Sequence, residues 1–121
     1  MNDLSDLIAA DAIVPRLLAT SRRQAIQSLC DALARAAGIE ARTAFDAVLI
    51  RERLSCTGMG EGVAVPHAIL PGITRPIGAF ARLEPAQDFE ALDGRAADLV
   101  FLLLSPADKG GDHLKAFARI S

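Results

Sequence analysis

The chain has 121 residues, enough for one domain, and 51% of them are hydrophobic, which excludes a disordered chain. Thirteen basic residues against fifteen acidic ones leave a formal net charge of −2, so no basic field is offered to a nucleic-acid backbone. No apolar run approaches the roughly 20 residues that cross a bilayer, the opening MNDLSDLIAA lacks the basic start of a secretory signal, and the absence of Trp and Tyr removes most stacking platforms for bases or sugars. The expectation is a cytoplasmic protein in which Cys30 and Cys56, lacking metal-ligand spacing, are reduced thiols.

The first twenty residues carry short apolar clusters around Pro15 and read as mostly irregular. A helix begins at Ser21, because Ser21 followed by Gln24 is a capping-box pattern. Ala25, Ile26, Leu29, Cys30, Leu33 and Ala37 keep one face apolar, and Gly38 is a natural stop. Cys30 within that stripe reads as a small buried hydrophobe. A second helix follows from about Glu40 to Arg53, with Ala41, Ala44, Phe45, Val48 and Leu49 as its stripe. Arg51 and Arg53 suit the negative end of its dipole.

The period then changes. GVAV (62–65) is a short apolar stretch ending at Pro66, PIGAFARLE (76–84) alternates as a strand does, and ADLVFLLLSP (97–106) is a continuous apolar run of strand length. Such a run predicts a central strand covered on both faces. After the loop ADKGGD, a final helix starts with Asp112 as its cap and Leu114, Phe117 and Ala118 facing inward, and it is cut short at Ser121. Helices and strands in this order indicate an α/β domain with a mostly buried sheet.

The chemistry centres on TGMGEGVAVPHA (57–68). Gly58, Gly60 and Gly62 permit backbone conformations closed to other residues, and successive N–H groups in such a loop form an anion site. Alternating glycine is a weak signal by itself, and this spacing is neither a Walker A loop nor a dinucleotide fingerprint. Pro66 cannot donate to a sheet ladder, so it places His67 at a strand end, where α/β sheets contact ligands. An unprotonated imidazole nitrogen is a nucleophile, and beside an anion cradle it fits phosphoryl transfer onto histidine. The commoner reading of such a residue is a hydrogen-bonded turn histidine, and both stand at this point. His113, in the first turn of the last helix, adds a donor where helix N–H groups attract anions, or is an ordinary exposed residue there. A cysteine hydrolase using Cys56 lacks an orienting acid or a nucleophile elbow.

The segments RERLSCTGMGEGVAVPHA (51–68), FEALDGRAADLVFLLLSPAD (89–108) and DHLKAFARIS (112–121) together resemble the enzyme IIA proteins of the fructose/mannitol class of the phosphoenolpyruvate-dependent phosphotransferase system. Within it the chain is most similar to the nitrogen regulatory branch, over nearly its whole length. The resemblance implies an α/β/α sandwich around a central mixed sheet of about five strands, in one domain spanning 1–121. Family members continue past this chain's end to complete the last helix and add another, so the C-terminal helix reads as truncated and self-association into a dimer is expected of this form.

The resemblance also implies roles. His67 accepts the phosphoryl group on Nε2 from an HPr-like carrier, His113 assists that group, and Arg51, sixteen residues before His67, supplies active-site charge. Thr57 and the backbone N–H groups around Gly58, Gly60 and Gly62 form the phosphate loop, and Met59, Val65, Ile69 and Leu70 are candidates for carrier docking, or ordinary core and loop residues. No metal or organic cofactor is implied, and neither nucleic acid nor membrane insertion. The output expected is binding of regulated partners, commonly in potassium or nitrogen metabolism, according to phosphorylation state. The alternative is a sugar-specific IIA that passes its phosphate to a fructose- or mannitol-type IIB permease component.

Overall fold

A computed structural model describes residues 8–54 and 57–107, with two helices and six strands among them. Ser21 caps helix α1 (Arg22–Ala37): its hydroxyl accepts the Gln24 N–H at 3.0 Å. Gln24 reaches back to the N–H of Thr20 at 2.6 Å, one residue earlier than a strict capping box. Gly38 ends the helix with φ 73°, and its N–H bonds the Ala34 carbonyl. Helix α2 (Ala41–Leu54) carries Arg51 and Arg53 in its last turn.

Six strands form one mixed sheet: β1 (Ile8–Leu18), β2 (Gly58–Gly60), β3 (Val63–Ala64), β4 (His67–Ile69), β5 (Ile77–Gln87) and β6 (Ala97–Ser105). The order is β1-β5-β6-β3-β2, with β4 also on β6. The apolar run at 97–105 is the central strand expected of it. It pairs antiparallel with β5 on one side and parallel with β3 and β4 on the other. The sheet thus has six strands where about five were expected, since β3 and β4 are separate short pieces.

The core lies between the sheet and the two helices. Ala25, Ile26, Leu29, Cys30 and Leu33 of α1 and Ala44, Phe45 and Val48 of α2 pack on Ala79, Ala81 and Leu83 of β5 and on Val100, Leu102 and Leu104 of β6. Alternate residues of each strand enter this cluster, as the pleat requires. Alanines on β5 let α1 approach closely. Each fully buried Leu or Ile contributes about 1.5–3 kcal/mol relative to exposure. The second helical layer of an α/β/α sandwich would come from the helix expected over 112–121, which lies outside the described residues.

One element departs from the sequence reading. Residues 8–18 are not irregular but form β1, parallel to β5. Pro15 is tolerated because β1 is the edge strand, and the register shifts between Val14 and Leu17 around it.

Candidate active site

His67 does not end a strand. It opens β4, and β4 continues the line of β3. Val63 pairs with Leu99 and Ala64 with Val100, then His67 pairs with Leu103 and Ala68 with Leu104, at the same offset on both sides. Between them the Pro66 carbonyl takes the Leu103 N–H of β6 at 3.0 Å, and the Val65 N–H bonds the Thr57 carbonyl at 3.0 Å, continuing the β2–β3 register. Pro66 has no N–H to give, so His67 sits just beyond a single missing ladder bond in a strand line that is otherwise continuous.

That gap fixes the ring. His67 Nδ1 lies 2.8 Å from the Val65 carbonyl oxygen. A carbonyl only accepts, so Nδ1 carries the proton and, in the neutral ring, Nε2 carries the lone pair. The residue is nearly buried, at 9% exposure, which confines any approach to a narrow side of the ring. Such an imidazole presents a nucleophilic Nε2 and needs no base to remove a proton from it.

The glycines serve the backbone. A Cβ at Gly58 would lie 2.8 Å from the Phe89 carbonyl oxygen, so no side chain fits. Gly60 and Gly62 have φ 88° and 84° and flank Glu61 at φ 57°. Two consecutive positive φ values at Glu61 and Gly62 are what a type I′ hairpin between β2 and β3 demands. The Glu61 N–H, expected to be open for a phosphate, is taken by Asp93 Oδ2 at 2.7 Å. The Asp93 carboxylate lies beside Gly60, and Asp98 Oδ1 and the Arg95 guanidinium lie beside Gly62. The hairpin tip is thus a turn held from outside by Asp93, and Thr57 anchors its base.

Thr57 is buried, and its hydroxyl donates to Glu52 Oε1 in the last turn of α2. Glu52 Oε2 faces Arg22 Nη1 at 3.8 Å, and Arg22 also reaches Glu90 at 3.4 Å. Burial pushes the Glu52 carboxyl above the usual carboxylate range, against the Thr57 hydrogen bond and the Arg22 and Arg51 charges. Arg51, half-buried beside Glu52, lies on the helix that packs against β4, the strand of His67. His113 and Cys56 lie outside the described residues.

Of the docking candidates, Met59 and Ile69 are half-exposed, at 46% and 49%. Val65 and Leu70 are buried: Leu70 packs in the core, and Val65 lies at the floor of the groove beside Met59. A groove of about 520 Å³ runs beside Met59, Val63, Leu92 and Asp93. Leu92, fully exposed, was not marked by sequence, since one leucine in a loop has no pattern around it. Glu52 was likewise passed over, because nothing in a helix stripe shows that a carboxylate is buried.

The description "Phosphoenolpyruvate-dependent sugar phosphotransferase system, EIIA 2" matches residues 6–121. The chain belongs to this EIIA family. It is 48% identical over 118 residues to a nitrogen regulatory protein of Bradyrhizobium diazoefficiens, covering 98% of this chain and 77% of that one. It is also 34% identical over 122 residues to a fructose-specific EIIA component of Haloferax volcanii, covering all of this chain and 79% of that protein. The crystal structure of nitrogen regulatory protein IIA-Ntr from Neisseria meningitidis superposes with a TM-score of 0.88 at 29% identity, covering 96% of this chain and 80% of that one. The EIIA fold thus holds over the described sheet and both helices. None of the described helices is long and apolar enough to cross a membrane.

Proposed function

We propose that this EIIA-family chain is a phosphocarrier and regulator that takes a phosphoryl group on His67 Nε2 from an HPr-like carrier and binds its targets according to phosphorylation state. The observation that carries this is the Nδ1 bond to the Val65 carbonyl, which leaves Nε2 free of a proton. In the transfer, the Nε2–P bond forms as the carrier's N–P bond breaks, and the carrier's nitrogen leaves with its electron pair. Nδ1 keeps its proton, so the positive charge developing on the ring is stabilised by the Val65 carbonyl. Phosphoryl transfer demands positioning and charge stabilisation above all. Arg51 supplies the charge, His113 assists the phosphoryl oxygens, and Met59 and Ile69, with Leu92 of the adjoining groove, present the apolar surface to the carrier. The new dianionic group changes which partners bind, with potassium and nitrogen metabolism as the field of targets.

Incubation with phosphoenolpyruvate, enzyme I and the carrier, read by intact mass, tests it. One acid-labile phosphate is expected on the wild type and none on His67→Ala; phosphate retained by His67→Ala refutes the assignment. The second reading, a sugar-specific IIA, is favoured by the full-length similarity to a fructose-specific component. Higher identity to a nitrogen regulatory protein favours the first. Phosphate passing from the loaded chain to a fructose-type IIB decides for the second.

A further inference from the structure

Glu52 is costly where it stands. It lies in the last turn of α2, where the partial negative charge of the helix end disfavours a carboxylate. Its side chain is only 5% exposed. Oε1 accepts the Thr57 hydroxyl, while Oε2, beyond its 3.8 Å ion pair with Arg22, has no hydrogen-bond partner among the described residues. Desolvation raises its affinity for a proton. An amide or an aliphatic side chain would fill this space at less cost. A group kept at such cost next to a reactive one points to a task other than stability.

The bonds from Glu52 lead to one place. Its carboxyl holds the Thr57 side chain, and the Thr57 carbonyl takes the Val65 N–H in continuation of the β2–β3 register. With its N–H so engaged, the Val65 peptide presents its carbonyl to His67 Nδ1. The path runs beside the one ladder bond that Pro66 cannot donate. The Pro66 carbonyl, on the Leu103 N–H, holds the strand to β6, and the Val65 N–H on the Thr57 carbonyl holds it from the β2 side.

We infer that Glu52 is a positioning residue for His67, acting through Thr57 and the Val65 peptide to keep the proton on Nδ1 and the lone pair on Nε2. This rests on the reading of His67 as phosphoryl acceptor. It adds a residue whose bonds reach the ring through Thr57 and Val65.

The test reads the tautomer directly, by long-range 1H–15N correlation on the unphosphorylated protein. Wild type is expected to show the Nδ1–H form. Glu52→Ala and Thr57→Val should both shift the ring to a mixture of tautomers and slow phosphorylation by the carrier on the order of tenfold. Glu52→Gln keeps an acceptor for Thr57, and Thr57→Ser keeps the hydroxyl, so both should restore the wild-type tautomer. Thr57→Val preserves shape and carries the test if Glu52→Ala does not fold. Folded Glu52→Ala or Thr57→Val with a wild-type tautomer overturns the inference, as does a Glu52→Gln ring that stays mixed. If wild-type His67 takes no phosphate, the functional reading fails instead, and the tautomer comparison still decides this one.

Discussion

Two regions of the sheet are built by different means. On one side, α1 lies across β5 and β6, long elements whose apolar faces meet in one cluster. On the other, β2, β3 and β4 are three, two and three residues long. They are held by individual bonds: Glu52 to Thr57, Thr57 to Val65, Asp93 to Glu61. The first region draws its stability from area removed from water, which is indifferent to direction. The second adds to the burial of Ala64, Ala68 and Leu70 a set of hydrogen bonds, which are directional and locate a ring nitrogen. The broad apolar packing and the bonds around His67 thus fall in different parts of one sheet, and β6 joins them by pairing with both.

Breaking the first region should cost the most. Leu29→Ala removes a fully buried α1 side chain and is expected to destabilise by about 2–5 kcal/mol, read by urea unfolding. Under conditions where this variant is folded, its phosphorylation rate should match wild type, because Arg51, Thr57 and His67 all lie outside α1. Gly58→Ala comes next. Its Cβ would press on the Phe89 carbonyl and on Ala91, and an overpacked site costs about 1–3 kcal/mol. Here the site should suffer too, since Gly58 follows Thr57 directly. A Gly58→Ala protein that unfolds earlier yet accepts phosphate at the wild-type rate would show that the hairpin and the ring are uncoupled.

The division also decides what the sequence reveals. The α1 caps, both helical stripes and the central run at 97–106 are legible because each is a periodic or local signal; they form with small departures, Ala37 being exposed, Ala32 buried, Ala41 and Leu49 only partly buried, and the strand ending at Ser105. Strand β1 is hidden because Pro15 breaks its pattern and its partner, β5, is remote in sequence. The His67 motif marks a strand end, and the structure makes that end the start of β4. Its place in a strand line depends on the register with β6, and the turn conformation of the glycines depends on Asp93, thirty-two residues from Glu61. The burial of Glu52 depends on Arg22 and on the β5–β6 connection that carries Glu90, neither of which a window around RER contains.

Glu52 sharpens the comparison through pH. Its folded-state pKa is raised, so the folded protein holds this proton more tightly than the unfolded chain does. Stability from this group is complete below the unfolded value near 4.5 and is lost as pH rises through the higher folded value. Glu52→Gln removes that loss. It should therefore melt higher than wild type at pH 7 and gain no such advantage at pH 4, while its His67 tautomer stays as in wild type. A stability gain with an unchanged ring separates the energetic cost of the carboxylate from its positional role.

The smallest effect belongs to Asp93, which is exposed and, among the described residues, bonded to the hairpin tip and to its own turn. Backbone N–H donors from Glu61 and Arg95 hold its carboxyl below the usual 3.8. Its contribution is present above that value and is lost as pH falls through the lower folded pKa. Asp93→Ala should barely move the melting temperature, because solvent replaces the lost bonds. Locally the change should be plain: the Glu61 amide, bonded to Asp93 Oδ2, should exchange with solvent faster, while amides of α1 keep their protection. If Glu61 stays protected in Asp93→Ala, the β2–β3 pairing alone holds the turn. The glycine hairpin then belongs with the regular part of the sheet, and the bonded strip narrows to Glu52, Thr57, Val65 and His67.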